Sequence, residues 1–219
     1  MFLKGYLIAL LELLGFGLLS HHIKESNESL QTMNPIAYYW MMFTILTGFW
    51  EYVFVSNYDK VVTVAKQYIT TKQHTWTNHY DLSYVLPWKL SKIFYAEYGA
   101  WADREYMNRK NGWSRVIESS HELCCGLFSL LSFYSLSHHK TNSFLICFSV
   151  SMGTQFMNSL LYMANYEIQT KDKDNVNYNS KSWPSGVAYC HRPFMWINYF
   201  WMLMPAYSIV VLLKTHTNQ

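Results

Sequence analysis

SLQTMNPIAYYWMMFTILTGFWE (residues 29–51) carries no charged side chain from Ser29 to Trp50 and then places an acid at Glu51. A spanning helix needs about 20 mostly apolar residues, because the hydrocarbon core is about 30 Å thick and each helical residue rises about 1.5 Å. The stretch meets that length. A carboxylate inside it costs roughly 2.5–3.5 kcal/mol on insertion scales and is usually retained for a site. The plainer reading is a helix-end acid reaching the headgroups.

Four further segments qualify or nearly qualify as spans. With Pro35–Ser56 they are Gly5–Ser20 (short, containing Glu12), Ile117–Ser137, Asn142–Asn165 and Pro193–Leu213. Backbone in lipid must satisfy its own hydrogen bonds, so these are predicted as helices. Pro35 and Pro193 stand where proline is tolerated, at first helical positions. The expected fold is all-α: a polytopic membrane helix bundle of about five transmembrane helices, one membrane domain over residues 1–219.

Composition agrees. Of the 219 residues 51% are hydrophobic and 18% aromatic. The mean hydropathy of −0.05 reflects the polar stretches Lys60–Gly112 and Glu167–His191. A net charge of +3 with no basic cluster excludes nucleic acid as a partner class. Cys124, Cys125 and Cys147 lie in apolar segments and Cys190 near a polar loop, which gives neither a disulfide framework nor a zinc spacing. Met1–Ser20 resembles a signal peptide, but Glu12 and the lack of a small-x-small site predict a retained helix.

The loop Asn57–Arg115 holds nine of the 17 basic residues and many aromatics, which predicts an interfacial position. The side with Lys4, this loop and Glu167–Arg192 collects 14 of the 17, so the positive-inside rule makes it cytosolic. The sequon Asn27-Glu28-Ser29 falls on the opposite side, compatible with a lumenal loop.

Several polar groups recur at helical spacing. Thr47 and Glu51 are four apart; Glu118, His121 and Glu122 are separated by three and four; Asn198 and Trp201 are three apart. Each set presents its side chains to one place. Acids and imidazole with an indole face could hold a transient carbocation or an ammonium group. Each also has a structural reading: helix-start acids for Glu122, an interfacial residue for His121, a packing asparagine and a lipid-facing tryptophan for the last pair. His21-His22 and His138-His139 lack a third histidine three or four residues away, and no Gly-rich phosphate loop or nucleophile elbow occurs. Neither metal nor cofactor is expected.

Three blocks carry a resemblance. Ala96-Glu97-Tyr98-Gly99-Ala100-Trp101-Ala102-Asp103-Arg104-Glu105-Tyr106 comes first, with Glu118 eight residues before Gly126; then Ser151-Met152-Gly153-Thr154-Gln155 with Leu161-Tyr162. His191-Arg192-Pro193-Phe194 with Asn198-Tyr199-Phe200-Trp201-Met202-Leu203-Met204-Pro205 is the third. In order and spacing they resemble the EXPERA family, typified by the emopamil-binding protein, a sterol isomerase of the endoplasmic reticulum. The similarity covers about residues 47–213, in an EXPERA-like core of about 35–213.

The resemblance implies an endoplasmic-reticulum-type multi-pass protein acting as a sterol Δ8-Δ7 isomerase. By the resemblance Glu51, Glu118, Asn198 and Trp201 fall on sterol-site positions, and Thr47 on one more; Glu51 and Glu118 are expected to be catalytic, and Thr47, Asn198 and Trp201, with His121 and Glu122 from their helical spacing, to bind substrate. Its partners would be a sterol or other hydrophobic small molecule and membrane lipid, and a homodimer is compatible. Where the family's isomerases carry histidine this chain has Thr47, which cannot shuttle protons at neutral pH; His121, one turn from Glu118, stands nearby to replace the imidazole. A non-catalytic sterol or lipid binder or trafficking modulator of the same family is the alternative. A small membrane scaffold whose acids pair with partner helices is a third.

Overall fold

The computed structural model describes residues 2–110, 112–178 and 193–217. Cys190, His191 and Arg192 therefore lie outside the described residues. The chain runs β1 (Phe2–Lys4), α1 (Gly5–Glu25), α2 (Glu28–Gln31), α3 (Pro35–Ser56), α4 (Tyr58–Thr71), β2 (His79–Asp81), α5 (Pro87–Trp101), α6 (Trp113–Ser120), α7 (Phe128–Ser137), α8 (Thr141–Gln169) and α9 (Pro193–Thr217). Short 3-10 turns occupy Leu82–Val85 and Arg104–Met107, and a π-helical turn, His121–Leu127, joins α6 to α7. The fold is all-α apart from one antiparallel pairing, Leu3 opposite Tyr80, that clips the start of α1 to the loop.

The central element is α3, with 12 of its 22 residues buried. It starts where expected because the Asn34 side chain accepts from the amides of Ile36 and Ala37 and Pro35 needs no partner. One end packs into an apolar core with Tyr38, Met41, Phe133, Phe148 and Met152; the other joins Phe54, Val62, Leu90, Tyr95 and Tyr166. Between those ends α3 presents Thr44, Thr47, Gly48 and Glu51, all buried. Within α3 the buried polar side chains thus lie between its two apolar ends.

The loop expected at the interface is folded. Helix α4 buries Val61, Val62, Ala65 and Tyr68 at helical spacing and ends at Lys72, whose φ of 54° is left-handed. Helix α5 begins at Pro87 and lays Leu90, Ile93, Ala96 and Ala100 against α4 and α3.

Other helices are longer than their apolar stretches. Helix α1 continues past Ser20 to Glu25 because Lys24, buried, donates to the carbonyls of Leu30 and Gln31 at 3.0 Å each. Among the described residues three helices are long and apolar enough to cross a membrane: Gly5–Glu25, Thr141–Gln169 and residues 196–214 of α9. They expose Leu10, Leu14, Leu18, Ile146, Ile168, Ile197, Phe200 and Leu203 outward, an apolar surface suited to lipid. Helix α3 is helical over the whole expected stretch, but its tyrosines, tryptophans and Glu51 lower its apolarity. The expected third span instead begins at Trp113 and is interrupted by the π-helical turn.

Candidate functional site

Two glycines bring α3 and the π-helical turn together. A Cβ on Gly48 would lie 3.1 Å from the Cα of Gly126, so only bare backbone permits this approach. The contact sets Glu51, one turn on from Thr47, against His121: Nδ1 lies 2.5 Å from the Glu51 carboxylate, both side chains being about nine-tenths buried. A π-helical turn inserts an extra residue per turn and often marks a functional site.

The ring orientation of His121 follows from its neighbours. An indole N–H can only donate. Trp40 Nε1 donates to Gln155 Oε1 at 2.8 Å, which turns the Gln155 amide nitrogen toward Thr44 Oγ1 and His121 Nε2, both at 3.1 Å. An amide N–H facing Nε2 requires a lone pair there. The ring proton therefore sits on Nδ1 and is donated to Glu51. Thr44 fits the same pattern, since its hydroxyl hydrogen is spent on the Trp40 carbonyl and its oxygen is left to accept.

Glu118 completes an acid pair. Its carboxyl lies near that of Glu51, close enough for each to feel the other's charge. Two like charges buried side by side are costly, so such a pair favours keeping a proton. Glu118 also accepts from Tyr95 at 2.9 Å and from the Tyr106 hydroxyl in a short contact. Burial first, and then the charge of Glu118, push both phenols well above their ordinary range, so both remain donors. Stacking of Phe54 on Tyr95 at 4.5 Å and of Tyr95 on Tyr106 at 5.8 Å holds them in place.

Trp201 of α9 covers the imidazole. Its ring meets His121 edge to face at 5.4 Å and packs on Trp40 at 4.9 Å and Phe43 at 5.5 Å. Beside it, Pro35, Ile36, Tyr39, Trp40, Phe43 and Met204 line an almost wholly apolar groove of about 390 Å³ between α3 and α9. That is within the usual range for small-molecule sites, about 300–1,000 Å³. Trp40 and Phe43 form its inner wall and also touch Trp201.

Of the residues singled out in the sequence, Glu51, Glu118, His121 and Trp201 lie together. Three other predicted residues behave differently. The Thr47 hydroxyl turns back to the carbonyls of Phe43 and Thr44, so it is a packing residue one turn from the acid. Asn198 hydrogen-bonds Tyr98, which pairs with Tyr162 at 2.8 Å, and so belongs to a neighbouring network built on Asp103. Glu122 is half-buried and makes no side-chain hydrogen bond among the described residues, although its backbone lies against Gly48 of α3.

Trp40, Thr44, Gln155, Tyr95 and Tyr106 were not singled out from the sequence. Only Gln155 carried a visible signal, an amide inside a long uncharged stretch. Chemically the assembly offers two neighbouring buried carboxyls, an imidazole fixed in one tautomer, and an indole face. Comparisons with protein-family models, with curated proteins and with solved structures give no match to this chain.

Proposed function

We propose that this chain is a multi-pass membrane protein of the EXPERA type, crossing an endoplasmic-reticulum-type bilayer about five times, that isomerises a ring double bond of a sterol. The observation that carries the reading is the meeting of Glu51, Glu118, His121 and Trp201 from three separate parts of the chain. In the proposed reaction a proton carried by the pair Glu51 and Glu118 goes to one carbon of the ring-B double bond. A carbocation results, stabilised by the Trp201 face and the remaining carboxylate charge. A proton then leaves the carbon on the other side of the cation for the carboxylate that gave the first, so the site returns to its starting state. His121, donating to Glu51, takes the place of the imidazole that the family carries at the position of Thr47.

The apolar groove supports a second reading, a non-catalytic sterol or lipid binder. A ligand lying there meets Trp40, Phe43 and Met204 before any acid. The two readings separate on one experiment. Expression in cells lacking their own sterol isomerase, followed by mass spectrometry of the sterols, is expected to restore the shifted double bond, and Glu118→Gln is expected to abolish it. Binding of a sterol analogue with no product would leave the binder; neither product nor binding would refute both.

A further inference from the structure

At the opposite end of α3 from the apolar groove, where α4 begins, a second groove of about 580 Å³ is lined by Tyr58, Asp59, Lys60, Arg109 and Arg115, together with the last backbone of α3. It holds three cations against one carboxylate. Arg109 and Asp59 pair at 2.9 Å with both side chains largely exposed, a contact worth little in water. Arg115 lies over the Tyr58 ring at 4.7 Å. Two buried polar atoms here lack any hydrogen-bond partner among the described residues: Arg115 Nε and the Tyr58 hydroxyl. Tyr58 itself is 8% exposed.

Unpaired buried donors are costly and are rarely left so without a ligand or water. Both are donors, because a guanidinium N–H cannot accept and burial pushes the Tyr58 phenol up, keeping its proton. The positive end of the α4 dipole lies at the same place. Donors, cations and a dipole of one sign select an anion with several acceptor oxygens and charge enough to match a bidentate arginine.

We infer that this groove binds a phosphate group, held by Arg115 and the Tyr58 hydroxyl with Lys60 and Arg109 at its rim. The proposal is independent of the acid pair between the helices. It draws on the reading of α3 as a span only for the source of the phosphate: at the end of such a helix the groove would sit at headgroup level, where an anionic phospholipid supplies it.

The test is a titration of the full-length chain, purified in neutral detergent, with phosphatidic acid and separately with inorganic phosphate, followed by native mass spectrometry. Saturable uptake of phosphatidic acid is expected, weakened about tenfold or more by Arg115→Gln and several-fold by Tyr58→Phe, which keeps the ring under the guanidinium. Asp59→Asn removes the competing carboxylate and is expected to tighten binding several-fold, a gain that misfolding does not produce. Displacement of the lipid by millimolar inorganic phosphate would make the free anion the ligand; lipid bound without displacement would make it a headgroup. No saturable uptake of either probe, or affinities unchanged in both Arg115→Gln and Asp59→Asn, would overturn the proposal.

Discussion

Gln155→Leu removes the one side chain that faces Trp40, Thr44 and His121 together. Leucine fills similar space, so the loss is polar. Trp40 Nε1 and His121 Nε2 are left without partners in a region where Gln155 itself is fully buried, at about 1–3 kcal/mol each. Thr44 loses only an incoming bond and keeps the one it donates. The sum is about 2–6 kcal/mol, which for a chain of this size lowers the melting temperature by roughly 4–24 °C. A thermal melt of the detergent-solubilised protein measures it, with Met157→Ala, at a half-exposed position on the same helix, as the reference. A second readout bears on His121 alone: nitrogen-15 spectra of histidine-labelled protein are expected to place the proton on Nδ1 in the parent. In Gln155→Leu the bond to Glu51 keeps the proton on Nδ1, and the Nε2 resonance is expected to shift because its lone pair loses the amide that faces it. A melt no lower than that of Met157→Ala, or a parent His121 protonated on Nε2, would refute the hydrogen-bond reasoning.

Gly126→Ala is expected to cost about 1–3 kcal/mol, since the new methyl would stand 3.3 Å from the Gly48 Cα and push α3 from the π-helical turn; a thermal melt measures it, and product analysis on the same preparation shows whether the proposed isomerisation falls with it. Tyr106→Phe takes a donor from Glu118 and is expected to destabilise by about 1–2 kcal/mol, with activity falling further than in Tyr98→Phe, whose hydroxyl serves Tyr162. Thr47→His bears on the proposed isomerase: the sterol product is expected to rise above the parent if His121 replaces an imidazole imperfectly, and mass spectrometry of the sterols measures it. Trp50→Phe leaves the buried Glu12 carboxyl, whose Oε2 already lacks a partner among the described residues, without its 3.0 Å indole bond; a melt lowered by at least about 1 kcal/mol is expected, and no change would mean that α1 is anchored elsewhere.

What the sequence disclosed follows from how far each signal travels along the chain. Apolar runs and Pro35 fix helices locally, and α3 appears with the predicted bounds. Acids in such runs are conspicuous because lipid penalises them, so Glu51 and Glu118 were legible alone. The partners that give them meaning were not. Tyr95 and Tyr106 are two tyrosines among 18, and only the packing of α5 and the 104–107 turn on Phe54 turns their hydroxyls toward Glu118. Helical spacing put Glu118, His121 and Glu122 together, but that rests on a regular turn, and the close Gly48–Gly126 contact sits where the helix departs from one. Thr47 was placed by its distance from Glu51, whereas its hydroxyl found nearer acceptors in its own helix.

The hydroxyls of Tyr95 and Tyr106 arrive from a part of the chain that no lipid need touch, yet they end on an acid buried among the apolar helices. The folded segment between α3 and α6 therefore works as a latch whose tongue reaches the buried acids. Loosening it from outside, by cutting the chain near Lys72 or prising α5 away, would be felt at Glu118 without altering Glu51, His121 or Trp201.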